Sequence, residues 1–194
     1  MNKKVIGAIV AVVLVVAIVI GGYALLKTSD APKKEFADTA DVINQVLATY
    51  DEDKKFPSVG GDMTTPVDGK AGLMSLDDPD SVDYMLHTNE DLRAQVDEVA
   101  SYVHQMLANN FTSGSFKLKD AKTADDFCTS LEKTLSETQW MCGIPDKMVI
   151  FTVNGGDYVV YAVGGAENID YFKAQFTATM GESATILTDR AVKE

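Results

Sequence analysis

Val5 to Leu26 is a run of 22 residues without a charge, built almost wholly from Val, Ile, Ala, Leu and Gly, with Tyr23 near its far end. A helix rises about 1.5 Å per residue, so this run would reach roughly 33 Å, against a bilayer core of about 30 Å. β-Branched residues dominate it. In lipid, however, every backbone group must be bonded within the segment, which a lone strand cannot do. A cleaved signal peptide has an apolar region of about 7–15 residues followed by a small-x-small site. This run is longer, and Leu25-Leu26-Lys27 offers no such site. No Cys follows directly, which excludes a lipoprotein anchor, and no polar face marks a buried core helix. The expectation is an uncleaved signal-anchor: a single-pass transmembrane helix with membrane lipid as its partner over residues 5–26.

Lys3 and Lys4 favour a cytoplasmic N-terminus, while Lys27, Lys33 and Lys34 dilute that bias. The organisation expected is a cytoplasmic tail (1–4), a transmembrane helix (5–26), a linker containing Pro32 (27–34) and an extracytoplasmic domain at the cell membrane (35–194). The chain has 17 basic and 29 acidic residues, a net charge of −12. The only charged residues among the first 27 are Lys3, Lys4 and Lys27, so the acidity falls on the remainder. Such a domain repels nucleic acid, and no nucleic-acid partner is expected.

After the linker a helical period begins. Phe36, Ala40, Ile43, Leu47 and Tyr50 lie on one face, and Phe56-Pro57 ends the segment. Residues 57 to 83, with three prolines and four glycines, read as a long irregular loop. The clearest helix spans 89–108. Thr88 and Asp91 resemble a capping box, Leu92, Val96, Val99, Val103 and Leu107 form its stripe, and Asn109-Asn110 closes it. Asn110-Phe111-Thr112 matches the glycosylation acceptor pattern, which is common by chance. A shorter helix from Thr123 carries Phe127, Leu131 and Leu135 on one face.

The period then changes. Met148–Val153 and Tyr158–Val163 are strands joined through Asn154-Gly155-Gly156-Asp157, residues that accept a hairpin turn. In the next segment Phe172, Ala174, Phe176, Ala178 and Met180 alternate strictly with polar residues, against a helical alternative on Ile169, Phe172, Phe176 and Met180. The alternation and the Thr content predict a strand, paired with Ala184–Thr188. The fold class expected is α+β, with helices packed on a C-terminal antiparallel sheet of about four strands.

Asp77, Asp78, Asp80 and Asp83 cluster at the end of the long loop. Oxygen ligands at such spacing suit calcium, but the fixed glycine and distal glutamate of a helix-loop-helix site are missing. A solvated acidic loop is the rival reading. Cys128 and Cys142 are the only cysteines. An even count outside the cytoplasm predicts a disulfide, against the rival of two free buried thiols. Closing its loop of about 15 residues is worth roughly 3 kcal/mol. The only histidines are His87 and His104. No nucleophile–base pair, metal-ligand spacing or phosphate loop appears, so no catalytic residue, no cofactor and no enzymatic activity are expected.

Three stretches resemble the type IV pilin and pseudopilin group. Lys3-Lys4-Val5-Ile6-Gly7 is similar to a short basic prepilin leader ending in Gly. Leu47-Ala48-Thr49-Tyr50 through Lys55-Phe56-Pro57-Ser58 is similar to the pseudopilin helix end and the turn after it. Tyr158–Ala162 with Tyr171-Phe172 resembles strands of pilin-like sheets. The family's processing motif, Gly followed by Phe-Thr-Leu-Ile-Glu, is not present: Gly7 is followed by Ala8-Ile9-Val10-Ala11-Val12. The resemblance implies an N-terminal helix packed on a C-terminal sheet, a C-terminal disulfide and partners among other envelope or pilus proteins. The function expected is a surface-exposed structural or interaction protein, pilin-like or minor-pilin-like. The alternative is a tethered ligand-binding module, with calcium on the 57–83 loop.

Overall fold

The structure, a computed structural model, describes residues 32–106, 110–140 and 143–193. It separates Met1–Ala31 from the unit Pro32–Glu194, and the unit is described by itself. Helix α1 (Thr39–Leu47) begins at Asp38, whose carboxylate accepts from the Asp41 amide, and buries Ala40, Val42, Ile43 and Val46. Three short strands follow: β1 (Ser58–Gly60), β2 (Val67–Asp68) and β3 (Gly72–Met74). Helix α2 (Pro79–Leu86) is capped by Asp78, has Pro at its first position, and ends at His87 in the left-handed conformation, φ 53°. A single turn, α3 (Glu90–Arg93), leads into β4 (Val96–His104) and its partner β5 (Phe111–Leu118). Then come α4 (Ala124–Glu137), the hairpin β6 (Lys147–Val153) and β7 (Tyr158–Gly164), α5 (Ala166–Met180) and β8 (Ala184–Ala191).

All eight strands form one antiparallel sheet in the order β2-β1-β4-β5-β7-β6-β8, with β3 also on β4. Both faces are covered. Met148, Ile150, Val159, Tyr161 and Phe116 pack with side chains of α2, α3 and α4. Val149, Phe151, Val160, Ala162 and Phe111 pack with α1 and α5. This architecture replaces the expected four-stranded C-terminal sheet: β1 to β3 fall in the stretch read as a loop, β4 in the stretch read as a helix, β5 where no element was expected, and one expected strand is helical.

The predicted helix over 89–108 is one turn of helix followed by the nine-residue strand β4. A bulge between Val96 and Glu98 leaves Asp97 unpaired, so Val96 and Val99 fall on the same face three residues apart. Ala100 and Tyr102 serve the other face. A central strand buried on both sides carries apolar residues at spacings that imitate a helix. The turn before it is capped by Asn89, which accepts from Leu92, rather than by Thr88.

The predicted strand over 172–180 is the second half of α5, which buries Ile169, Phe172, Phe176 and Met180. Ala174 and Ala178, needed as strand positions, are exposed on the helix, where alanine is the best former. Strand β8 therefore pairs with β6 instead. The hairpin turn Asn154-Gly155-Gly156 has positive φ throughout, as its sequence implies. The long loop is not wholly irregular, since it carries β1 to β3 and most of α2.

Among the described residues no helix is long and apolar enough to cross a membrane. This corrects the expected transmembrane, signal-anchored and single-pass assignment. The run Val5–Leu26 on which it rested lies outside the described residues.

Two asparagines fasten the periphery. Asn44 bonds both the carbonyl and the amide of Ala71. Asn154 does the same with Lys34, and Lys33 pairs with Asp157, so the entering chain is held at the hairpin turn.

Candidate functional site

The residues singled out in the sequence are drawn into structural roles. Asp78 caps α2 by accepting from Ser81 at 3.2 Å. Asp83 accepts from Thr88 at 2.8 Å and from the Arg93 guanidinium at 2.7 Å. Asp80 lies in the first turn of α2, and the Asp77 amide donates to Ser75. Among the described residues no group of three or more His, Cys, Asp or Glu is placed to hold a metal ion. The four aspartates are therefore not brought together as a ligand set.

Cys128 is a buried free thiol on α4, which corrects the expected disulfide; Cys142 lies outside the described residues. Burial first, then the charges of Asp125 and Glu132, push its thiol up to about 12, so it is not a thiolate at neutral pH. The two histidines are placed by aromatic packing. His87 lies with its ring 4.2 Å from Trp140, and His104 stacks on Phe56 at 5.1 Å. The most heavily bonded buried carboxylate, Asp62, organises its own loop. It accepts from the amides and hydroxyls of Thr64 and Thr65 and weakly from the Ser75 amide. These bonds, led by the Thr64 hydroxyl, hold its carboxyl well below the usual carboxylate range.

The two ends of the sheet differ. At one end, β4 is flanked by separate three-residue strands, β1 and β3, with the two-residue β2 beyond β1. They meet so closely that a Cβ on Gly60 would lie 2.4 Å from the Gly72 nitrogen. Short, interrupted strands of this kind are how proteins blunt a sheet edge. At the other end, β8 is eight residues long and bonded only to β6, so among the described residues its outer side has no strand partner.

The sequence of β8 makes this edge unusual. Its pairing with β6 shifts between Ile150 and Phe151, and Leu187 is the extra residue. Ile186 and Leu187 stand side by side at 42% and 41% exposure, flanked by exposed Thr185. A bulge commonly bends an edge out of reach or re-aims a side chain; here the residue turned outward is leucine.

The strand's charges are paired within the chain. Asp189 pairs with Lys147 and Lys173 at 2.8 Å each, and Asp170 completes the network. Bonds to Asp170 and then Asp189 raise Lys147 above its ordinary range, while Asp170 is lowered, chiefly by Lys147. On the opposite face Glu132 accepts from Thr188 at 2.6 Å and from Arg190 at 2.7 Å. These bonds, that to Thr188 first, lower the Glu132 carboxyl. Charged side chains of α4 and α5 thus buttress β8 from both faces, and its exposed stretch Thr185-Ile186-Leu187 carries no charge.

The sequence identified Ala184–Thr188 as a strand but not as an edge. Comparison with protein-family models, characterised proteins and solved structures returned no match.

Proposed function

We propose that this chain is a non-catalytic interaction protein that engages its partner through the open edge of β8. The observation that carries the reading is the contrast between the two ends of one sheet. One end is broken into strands of two and three residues; the other is an eight-residue strand exposing Thr185, Ile186 and Leu187. Unpaired backbone groups beside apolar side chains are a template for another chain. Consistent with a structural role, the buried polar groups at Asp62 and Tyr161 and the half-buried Asp83 are spent on loops, helix ends and strands. The net charge of −12 speaks against nucleic acid as the partner. The resemblance to type IV pilins points to the same class, proteins that act by contact between folded subunits.

A photo-crosslinking amino acid introduced at Leu187, with Leu73 on β3 as control, tests the reading in cells that make the protein. Specific protein adducts at position 187 and none at 73 are expected. Equal yields, or none at 187, overturn it.

A further inference from the structure

We infer that the occupant of the β8 edge is a second copy of this chain, its own β8 laid antiparallel on the first. The inference rests on the reading of β8 as the contact surface and names what covers it. Its ground is local charge. The chain as a whole carries −12, yet the charges of β8 and its supports are answered within one chain. Asp189 meets Lys147 and Lys173, and Arg190 meets Glu132. A basic partner finds acid elsewhere on this protein but nothing unpaired along this strand. The matching surface is itself neutral, apolar and extended, and a second β8 supplies it.

The register is constrained. Residues opposed across an antiparallel pair share a face of the sheet, so a two-fold axis passes through a residue, not between two. With the axis at Ile186, the side chain on the α5 face meets its own copy. Asp189 and Arg190, beyond the bulge, then fall toward Ala184 and Ser183 of the second copy, where no like charge stands. The two sheets become one, and helices cover it on both faces.

Light scattering and sedimentation of the full chain, from micromolar to sub-millimolar concentration, test this. The mass is expected to double with concentration. The dimer should tighten from about 50 mM to about 500 mM salt, because the long-range force between two acidic copies is repulsive and is screened. Ile186→Lys with Leu187→Lys should weaken association at least tenfold while the thermal midpoint stays within a few degrees. In a Cys142→Ser background, Ile186→Cys should give a disulfide-linked dimer and Leu73→Cys should not. Association untouched by the lysines overturns the inference and puts the contact elsewhere in the chain. A chain that stays monomeric while the Leu187 probe captures a different protein overturns the second copy alone. A monomer with no adduct at Leu187 overturns the edge reading as well.

Discussion

The hydroxyl of Tyr161 on β7 donates to the carbonyl of Leu86, the last residue of α2, at 2.7 Å. Tyr161 is fully buried, and burial raises its phenol far above the ordinary range, so it stays a donor. The Leu86 carbonyl is one of the acceptors that a helix C-terminus leaves without an internal partner. One bond therefore closes α2 and fixes it to the middle of the sheet. Tyr161→Phe should leave that carbonyl buried and unpaired, at a cost of about 1–3 kcal/mol. Urea unfolding checks it: the midpoint should fall with the slope unchanged.

Gly114 on β5 makes that placement possible. A Cβ there would stand 2.6 Å from Cε1 of Tyr161. Gly114→Ala should cost about 1–3 kcal/mol through overpacking. Tyr161→Leu in the same chain removes the ring that clashes. The double variant should therefore lose less than the sum of the two single losses, as a double-mutant cycle would measure.

His87 gives the protein a pH dependence of definite sign. Its imidazole is partly buried against Trp140, and burial pushes its pKa down to about 4. The ordinary value is near 6.5. Between these two values the unfolded chain binds a proton that the folded chain refuses, so stability falls as pH falls. The full shift corresponds to at most about 3 kcal/mol. The carboxylates lowered by Lys147 and Thr188 lose their contribution only below the ordinary carboxylate range, so pH 5 to 6.5 isolates the histidine. Thermal melts should show the wild type losing several degrees across that window. His87→Asn, which tolerates the left-handed φ, should stay flat.

Cys128 is the clearest probe of global opening. Its thiol is 3% exposed and pushed up to about 12. Alkylation at neutral pH, read at this residue by mass spectrometry, should be negligible in the native protein and complete in denaturant. Fast native labelling would show that α4 lifts from the sheet without unfolding.

How much of this was legible in the sequence depended on whether the deciding force was local. The hairpin of β6 and β7 was, because Asn154-Gly155-Gly156 settles the turn by backbone sterics. The core face of α4 was too, since Phe127, Leu131 and Leu135 obey one period. Strand β4 was not: its bulge at Asp97 puts Val96 and Val99 on one face at helical spacing, and only its neighbours on both sides decide for strand. In α5 two patterns overlapped on Phe172 and Phe176, and the alanines between them settled it. The candidate site lay deeper still. Nothing in Thr185-Ile186-Leu187 announces which strand will be last in an eight-stranded order, because an edge is defined by what fails to pair with it.

The clamp between Lys34 and Asn154 has a mechanical consequence. Asn154 follows the last residue of β6, whereas near the other end of the chain Val192 donates to Asp146, just before its first. The points where the chain enters and leaves this unit are thus separated by the length of one strand, about 23 Å at 3.3 Å per residue. Tension applied through both would run lengthwise along β6 and β8. It would load their ladder in shear, all bonds at once, rather than unzip it bond by bond, a geometry suited to bearing force.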